Sequence, residues 1–90
     1  MEPSLHRLRL LRELERRGTV TAVAGALDYT VSAVSQQLAL LEREAGTPLF
    51  ERRGRRIGLT EAGLVLAGHA ETILAAVEDA GHAMESARAG

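Results

Sequence analysis

The stretch AGALDYTVSAVSQQLALLE, residues Ala24–Glu42, decides the fold of this 90-residue chain. It predicts two helices joined by a tight corner at Asp28-Tyr29. The first helix is short and made of small apolar residues, which suits close packing against its neighbours. The second helix opens at Thr30, whose hydroxyl can accept a hydrogen bond from a free N–H group of the first turn.

The second helix has two contrasting faces. Apolar residues recur at spacings of four, three and four and fall within roughly 40° of each other on a helical wheel; they are Val34, Leu38, Leu41 and Ala45. The opposite face carries no carboxylate and consists of Ser32, Gln36, Ala39 and Arg43, with Ser35 on the flank. A short helix, a sharp turn and such a face are typical of a helix-turn-helix, whose second helix enters the major groove of DNA. The wheel alone also fits an ordinary amphipathic helix with a solvated face.

A basic segment follows this helix. Leu49-Phe50 and Ile57-Gly58-Leu59 flank the sequence ERRGRR, which predicts a two-stranded hairpin with a glycine at its tip. Its four arginines are Arg52, Arg53, Arg55 and Arg56. A cationic hairpin directly after a recognition-type helix is typical of a wing that reaches phosphates and the minor groove. The alternative is a solvated charged loop.

The remaining helices are delimited by local signals. Pro3-Ser4 opens a first helix with leucines at spacings of three, at Leu5, Leu8, Leu11 and Leu14. Gly18 and Gly46 are expected to stop the first and third helices, because glycine tolerates the left-handed backbone of a helix end. We expect Thr21 to cap the short second helix.

A long helix is predicted after Thr60, with Glu61 in its first turn favouring the helix dipole. Its apolar residues alternate spacings of four and three, a heptad seam made of Leu66, Ala70, Ile73, Val77, Ala80 and Met84. At 1.5 Å per residue the segment 61–88 would be about 42 Å long, too long to be buried by a 60-residue head. The seam therefore predicts pairing with a second copy.

Composition excludes several classes of protein. Cysteine is absent, which excludes disulfides and thiolate metal sites. No catalytic triad, metal cluster or phosphate loop is visible, so neither an enzyme, a metal site nor a cofactor is expected. No secretory signal or membrane-spanning apolar run is present, and we expect a cytoplasmic, nucleoid-associated protein.

The charge is divided along the chain. Residues 1–60 contain ten arginines and seven acidic residues, a net charge of +3, whereas residues 61–90 contain one arginine and five acidic residues, a net charge of −4. This asymmetry predicts a cationic head that meets an anionic partner and an acidic tail that does not.

The order of short motifs resembles the LysR-type bacterial transcriptional regulators. The matching pieces are SAVSQQL at 32–38, LE at 41–42, AG at 45–46, LFER at 49–52, GRR at 54–56 and LTEAG at 59–63. The resemblance covers essentially the whole chain. It implies a mainly α fold, a winged helix-turn-helix of three helices and a short two-stranded wing over residues 1–60, followed by a long C-terminal linker helix over 61–90 through which these proteins dimerise. In that family the linker leads into a larger effector-sensing domain, which this chain does not contain, so we expect a fragment or a truncated chain.

The resemblance also implies which residues meet DNA. Thr30, Ser32, Ser35, Gln36 and Gln37 fall in the segment that faces DNA, and the four arginines fall in the wing. From the residues themselves, base readout is expected to centre on the first turns of the helix, at Val31, Ser32, Ser35 and Gln36, with Arg43 on the same face. We expect Arg52 to pair with Glu42 and hold the wing to the recognition helix.

Three residues depart from the family pattern. Val31 replaces a common glutamine and can contact a thymine methyl group but cannot hydrogen-bond a base edge. Gln36 replaces a common basic residue and can pair with adenine. Tyr29 replaces an aliphatic residue, and its ring is expected to fill the core, the alternative being a phosphate contact through its hydroxyl.

The predicted partner is double-stranded DNA, bound by a homodimer at an interrupted inverted repeat. The competing interpretation is a winged helix used as a protein-interaction or dimerisation module without DNA. The wing arginines and the absence of acids on the exposed helix face favour DNA.

Overall fold

The computed structural model describes residues 1–90 and contains four helices and a two-stranded antiparallel hairpin. In chain order the elements are α1 (Leu5–Arg17), α2 (Val20–Leu27), α3 (Val31–Ala45), β1 (Phe50–Arg53), β2 (Arg56–Leu59) and α4 (Glu61–Ala89). The molecule measures 52 × 27 × 18 Å, because the end of α4 projects beyond the rest. The predicted mainly α winged helix-turn-helix is therefore confirmed.

Local capping sets most helix ends where the sequence predicts them. The hydroxyls of Thr30 and Thr60 accept hydrogen bonds from Ala33 N and Gly63 N at 3.0 and 3.1 Å. Gly18 and Gly46 end α1 and α3 with φ of 82° and 73°. The expected cap at Thr21 is wrong.

The cap of α2 is Thr19, whose hydroxyl accepts from Ala22 N at 3.1 Å. The connection between α1 and α2 therefore consists of two residues, Gly18 and Thr19. Thr21 lies exposed in the first turn of α2. Either threonine offers the same hydroxyl, so their side chains alone do not tell which one caps.

Helix α1 lies at the centre of the core. Leu10 and Leu14 pack against α2 and α3, Leu11 packs against α3 and the base of the wing, and Leu8 packs against α4. Leu5 is exposed, because a spacing of three drifts by about 60° per step and turns it away from Leu14. Leu10 takes a core position that the spacing of three does not include.

The first half of α4 packs onto its own head, which corrects the predicted seam. Ala70 is fully buried against Leu8 and Leu74, and Leu66 is half-buried against the same part of the core. Ala70 is thus unavailable to a second chain. The predicted seam shares Ala70 with the buried side of the same helix, because the buried residues follow the same spacing of four and three. The buried residues are Gly63, Ala67, Ala70 and Leu74.

Two features fix α4 against the head. A Cβ on Gly63 would overlap the carbonyl oxygen of Leu49, so the absence of a side chain lets the start of α4 lie directly on the base of the wing. Further along, Glu71 and Glu78 of α4 pair with Arg16 and Arg12 of α1 at 3.2 and 3.8 Å. Packing is continuous up to Leu74, and the division of the chain after residue 60 stays a prediction.

Candidate nucleic-acid interface

The corner between α2 and α3 is held by backbone geometry. Asp28 adopts a left-handed conformation with φ of 60°, and Tyr29 N donates to Ala24 O at 2.9 Å. Aspartate tolerates this conformation better than most residues. The chain then turns at once into α3, whose Val34, Leu38 and Leu41 are buried and fix the direction of the helix.

The opposite side of α3 is solvent-exposed, as the helical wheel predicts. The exposed side chains of the predicted site on this helix are Thr30, Val31, Ser32, Ser35, Gln36 and Arg43. Apart from the Thr30 cap, none of them has a side-chain hydrogen bond or ion pair within the chain, and no carboxylate lies among them. Their hydrogen-bonding groups are therefore free to meet a ligand.

Gln37 differs from its neighbours. It is half-buried, and its Oε1 accepts a hydrogen bond from Arg7 Nε of α1 at 3.0 Å. The sequence gives no signal for this contact, because the two residues lie far apart in the chain and the pairing exists only when α1 and α3 cross.

The wing is a regular antiparallel hairpin. Phe50 pairs with Leu59 and Arg53 with Arg56, and Gly54 turns the chain with φ of 64°. Phe50 and Ile57 pack onto the core cluster formed by α1, α2 and α3, which anchors the hairpin beside α3. The arginines lie at its exposed end.

Two of the wing arginines are held within the chain. Arg53 pairs with Glu51 and lies over Gly58, where a Cβ would come within 2.8 Å of Arg53 Nε. Arg56 lies against Gly18 and donates to Arg17 O at 3.4 Å, while Ile57 N donates to Gly18 O at 3.0 Å. The start of β2, close to the tip of the hairpin, is thereby fastened to the end of α1.

The expected pair of Arg52 with Glu42 is wrong. Glu42 Oε2 accepts instead from the backbone N–H groups of Leu49 and Phe50, at 2.8 and 3.3 Å. Leu49 directly precedes β1 and Phe50 is its first residue, so the carboxylate holds the start of the strand. Arg52 is exposed and has no partner within the chain.

Tyr29 does not fill the core, and the expectation that it would is also wrong. Its side chain is 46% exposed and meets His6 edge to face, with ring centroids 5.4 Å apart. An aromatic ring therefore stands beside the N-terminal end of α3.

Unpaired arginines concentrate at this surface. Arg7, Arg12, Arg16, Arg17 and Arg53 all take part in ion pairs, and Arg56 is held by a carbonyl oxygen. Of the arginines without an internal partner, three belong to α3 and the wing: Arg43, Arg52 and Arg55. No group of three His, Asp or Glu side chains is arranged to hold a metal ion, and none of the four helices is both long and apolar enough to cross a membrane.

A short helix, a tight corner, an exposed second helix and a basic hairpin packed beside it define a winged helix-turn-helix protein. The sequence model for the bacterial regulatory helix-turn-helix protein, lysR family, matches residues 5–64. The chain belongs to this LysR family, and it constitutes a LysR-type helix-turn-helix DNA-binding domain. The predictions that it resembles LysR-type regulators and is not an enzyme are confirmed.

Individual relatives agree with this assignment. The chain is 43% identical over 82 residues to the HTH-type transcriptional regulator CbbR of Rhodospirillum rubrum. The matched region covers 91% of this chain and 28% of that protein. It spans about a quarter of the length of the curated relatives that it matches.

Solved structures share the fold over the same length. The BenM DNA-binding domain in complex with catB site 1 DNA matches with a TM-score of 0.92 and 25% identity, over 97% of this chain and 98% of that one. The DNA complex of the CbnR DNA-binding domain matches with a TM-score of 0.87 and 27% identity, over 93% of this chain and 97% of that one.

Proposed function

We propose that this chain binds double-stranded DNA in a sequence-specific manner as a homodimer, with α3 in the major groove and the wing on the backbone and minor groove. The observation that carries the proposal is the α3 surface: exposed small polar side chains, no carboxylate, and unpaired arginines on α3 itself and on the adjacent wing. The relatives BenM and CbnR, each in complex with DNA, support it.

The first two turns of α3 are proposed to read bases. Val31, Ser32, Ser35 and Gln36 are exposed there, and Gln36 keeps both its amide oxygen and its NH₂ group free. An amide with both groups free can pair with the N6 and N7 atoms of adenine, and Val31 offers an apolar surface to a thymine methyl. Arg43 lies nearly two turns beyond Gln36, where it suits a phosphate.

The wing is proposed to supply electrostatic affinity mainly through Arg52 and Arg55. These two guanidinium groups have no partner within the chain, so they can bind phosphate without first losing another contact. Arg53 and Arg56 are already engaged, and Arg56 in particular is proposed to hold the wing in position.

The dimer is proposed to form through the exposed part of α4. Ile73 is 38% exposed and Met84 is 60% exposed, and Val77 and Ala80 lie between them along the same side of the helix. Beyond Glu78, which pairs with Arg12 of α1, every residue of α4 is exposed and the helix extends by about 16 Å. A twofold copy can cover this side with an isologous contact, placing two heads on successive major grooves of an interrupted inverted repeat.

Selection of binding sites from a random duplex pool tests the proposal. We expect an enriched inverted repeat with half-sites about one helical turn or more apart. Replacing Gln36 with Ala should then relax preference at one base pair by about 1 to 3 kcal/mol, whereas Arg43→Ala should weaken all duplexes alike. No enrichment, together with equal and negligible binding to any duplex at low salt, would instead favour a protein-interaction module.

A further inference from the structure

One guanidinium group connects α1 to two turns of α3. Arg7 Nε donates to Gln37 Oε1 at 3.0 Å, and Arg7 Nη1 donates to Glu44 Oε1 at 3.0 Å. The side chain of Arg7 is 24% exposed, so the contacts are partly shielded from water. Gln37 and Glu44 lie seven residues apart, about two helical turns, and therefore on the same side of α3.

The chemistry of this contact determines how Gln37 is oriented. A guanidinium has only donors, so it can bind only the oxygen of a glutamine amide. The NH₂ group of Gln37 is consequently turned away from Arg7, and it has no hydrogen-bond partner within the chain. Gln37 thus offers a donor to whatever meets this flank of α3.

A glutamine fixed in this way is suited to phosphate and not to adenine. Pairing with adenine uses the amide oxygen and the NH₂ group together, and the oxygen of Gln37 is held at α1. A phosphate oxygen only accepts hydrogen bonds, which matches the unpartnered NH₂ group of Gln37. Gln36, the preceding residue, is exposed and makes no side-chain bond within the chain, so it alone keeps both amide groups free.

We propose that Arg7 is a positioning residue of the DNA interface: it fixes the Gln37 amide as a donor toward a backbone phosphate and leaves base recognition to Gln36. This inference rests on the proposed DNA binding. Arg7 acts through Gln37, because its own charge is compensated by Glu44.

A double-mutant cycle in the full chain tests the coupling. The variants are Arg7→Met, Gln37→Met and both together, titrated with the selected duplex and with a random duplex at several salt concentrations. Each single change should weaken binding to both duplexes by the same factor, about tenfold, and the double variant should be no weaker than either single one. Arg7→Met should leave the salt slope unchanged.

Three further variants separate this role from folding and from general charge. Arg9→Met removes an exposed α1 arginine without an ion pair and should bind as the wild type does. Glu44→Gln breaks the ion pair but keeps the Arg7–Gln37 bond, so affinity should stay within about twofold of the wild type. Gln37→Glu keeps an acceptor for Arg7 but presents a carboxylate oxygen outward, and should weaken all duplexes more than Gln37→Met does.

Three outcomes would overturn the inference. Additive effects of the two methionine changes would mean that Arg7 and Gln37 act independently, and a salt slope lowered by about one unit in Arg7→Met would make Arg7 itself a phosphate contact. A changed preference at a single base pair in Gln37→Met would make Gln37 a base-reading residue. Failure of the proposed DNA binding is distinguishable from failure of this inference. In that case the wild-type chain itself would bind neither duplex, and both proposals would be wrong.

Discussion

At the scale of single residues, Gly18 is confined from two sides. Its φ of 82° disfavours any residue with a Cβ, and a Cβ there would also displace the flexible guanidinium of Arg56 from Arg17 O. We expect Gly18→Ala to lower the free energy of unfolding by about 1 to 2 kcal/mol, measured by urea denaturation. Gly81→Ala is the matched control: this exposed site in α4 has open space, so alanine should raise stability by roughly 1 kcal/mol. Equal effects of the two changes would contradict the role of Gly18.

Truncation of Arg52 and truncation of Arg56 should differ in their effect on the melting temperature. Arg52→Ala removes an unpaired, exposed cation, and we expect an unchanged melting temperature with a salt slope reduced by about one unit. Arg56→Ala removes the donor that joins the start of β2 to Arg17 O of α1, and should lower the melting temperature as well as affinity. Calorimetry and salt-dependent titration measure the two effects. The assignment fails if Arg52→Ala melts earlier and Arg56→Ala does not.

At the scale of elements, the wing is joined to α3 by one carboxylate. Glu42 accepts from the backbone N–H groups of Leu49 and Phe50, which lie where the chain leaves α3 for β1. Glu42→Met removes the acceptor at similar size and should cost about 1 to 3 kcal/mol of unfolding free energy, because two partly buried donors lose their partner. Glu42→Gln keeps an oxygen and should cost less than half as much. A loss of the same size in both variants would show that the negative charge matters more than the acceptor.

The elements themselves could be predicted from sequence because their signals are local. Thr30, Gly46 and Thr60 cap or stop helices by bonds within a few residues, and the glycine at the wing tip does the same for a turn. Apart from the cap of α2, which Thr19 forms and not Thr21, the errors concern side-chain contacts that spacing along the chain does not determine. Charge and apolar spacing predict only the type of a residue and its side of a helix. They do not show that Glu42 accepts from the backbone of Leu49 and Phe50 and not from Arg52. Nor do they show that Ala70 packs against Leu8 of the same chain, a contact that exists only because α4 crosses α1.

At the scale of the whole molecule, the proposed dimer depends on the exposed part of α4. Ile73→Asp would bury a carboxylate in the proposed interface at a cost of several kcal/mol, so the variant should sediment as a monomer and keep only weak half-site binding. Thr72→Asp adds the same charge about 100° around the helix and should remain dimeric. Analytical ultracentrifugation at tens of micromolar distinguishes them. A monomeric wild type would contradict the proposed dimer.

The contact of Gly63 with the carbonyl of Leu49 makes the start of α4 continuous with the base of the wing, so that α4 and the head turn together. A rotation of α4 therefore displaces the α3 helix of the same chain. In the proposed dimer, tilting one α4 by about 10° over a lever of about 20 residues, some 30 Å, would move the attached α3 by roughly 5 Å. That exceeds the 3.4 Å step between base pairs. Torque applied at the far end of this helix would therefore change which base pairs the two heads can reach at once.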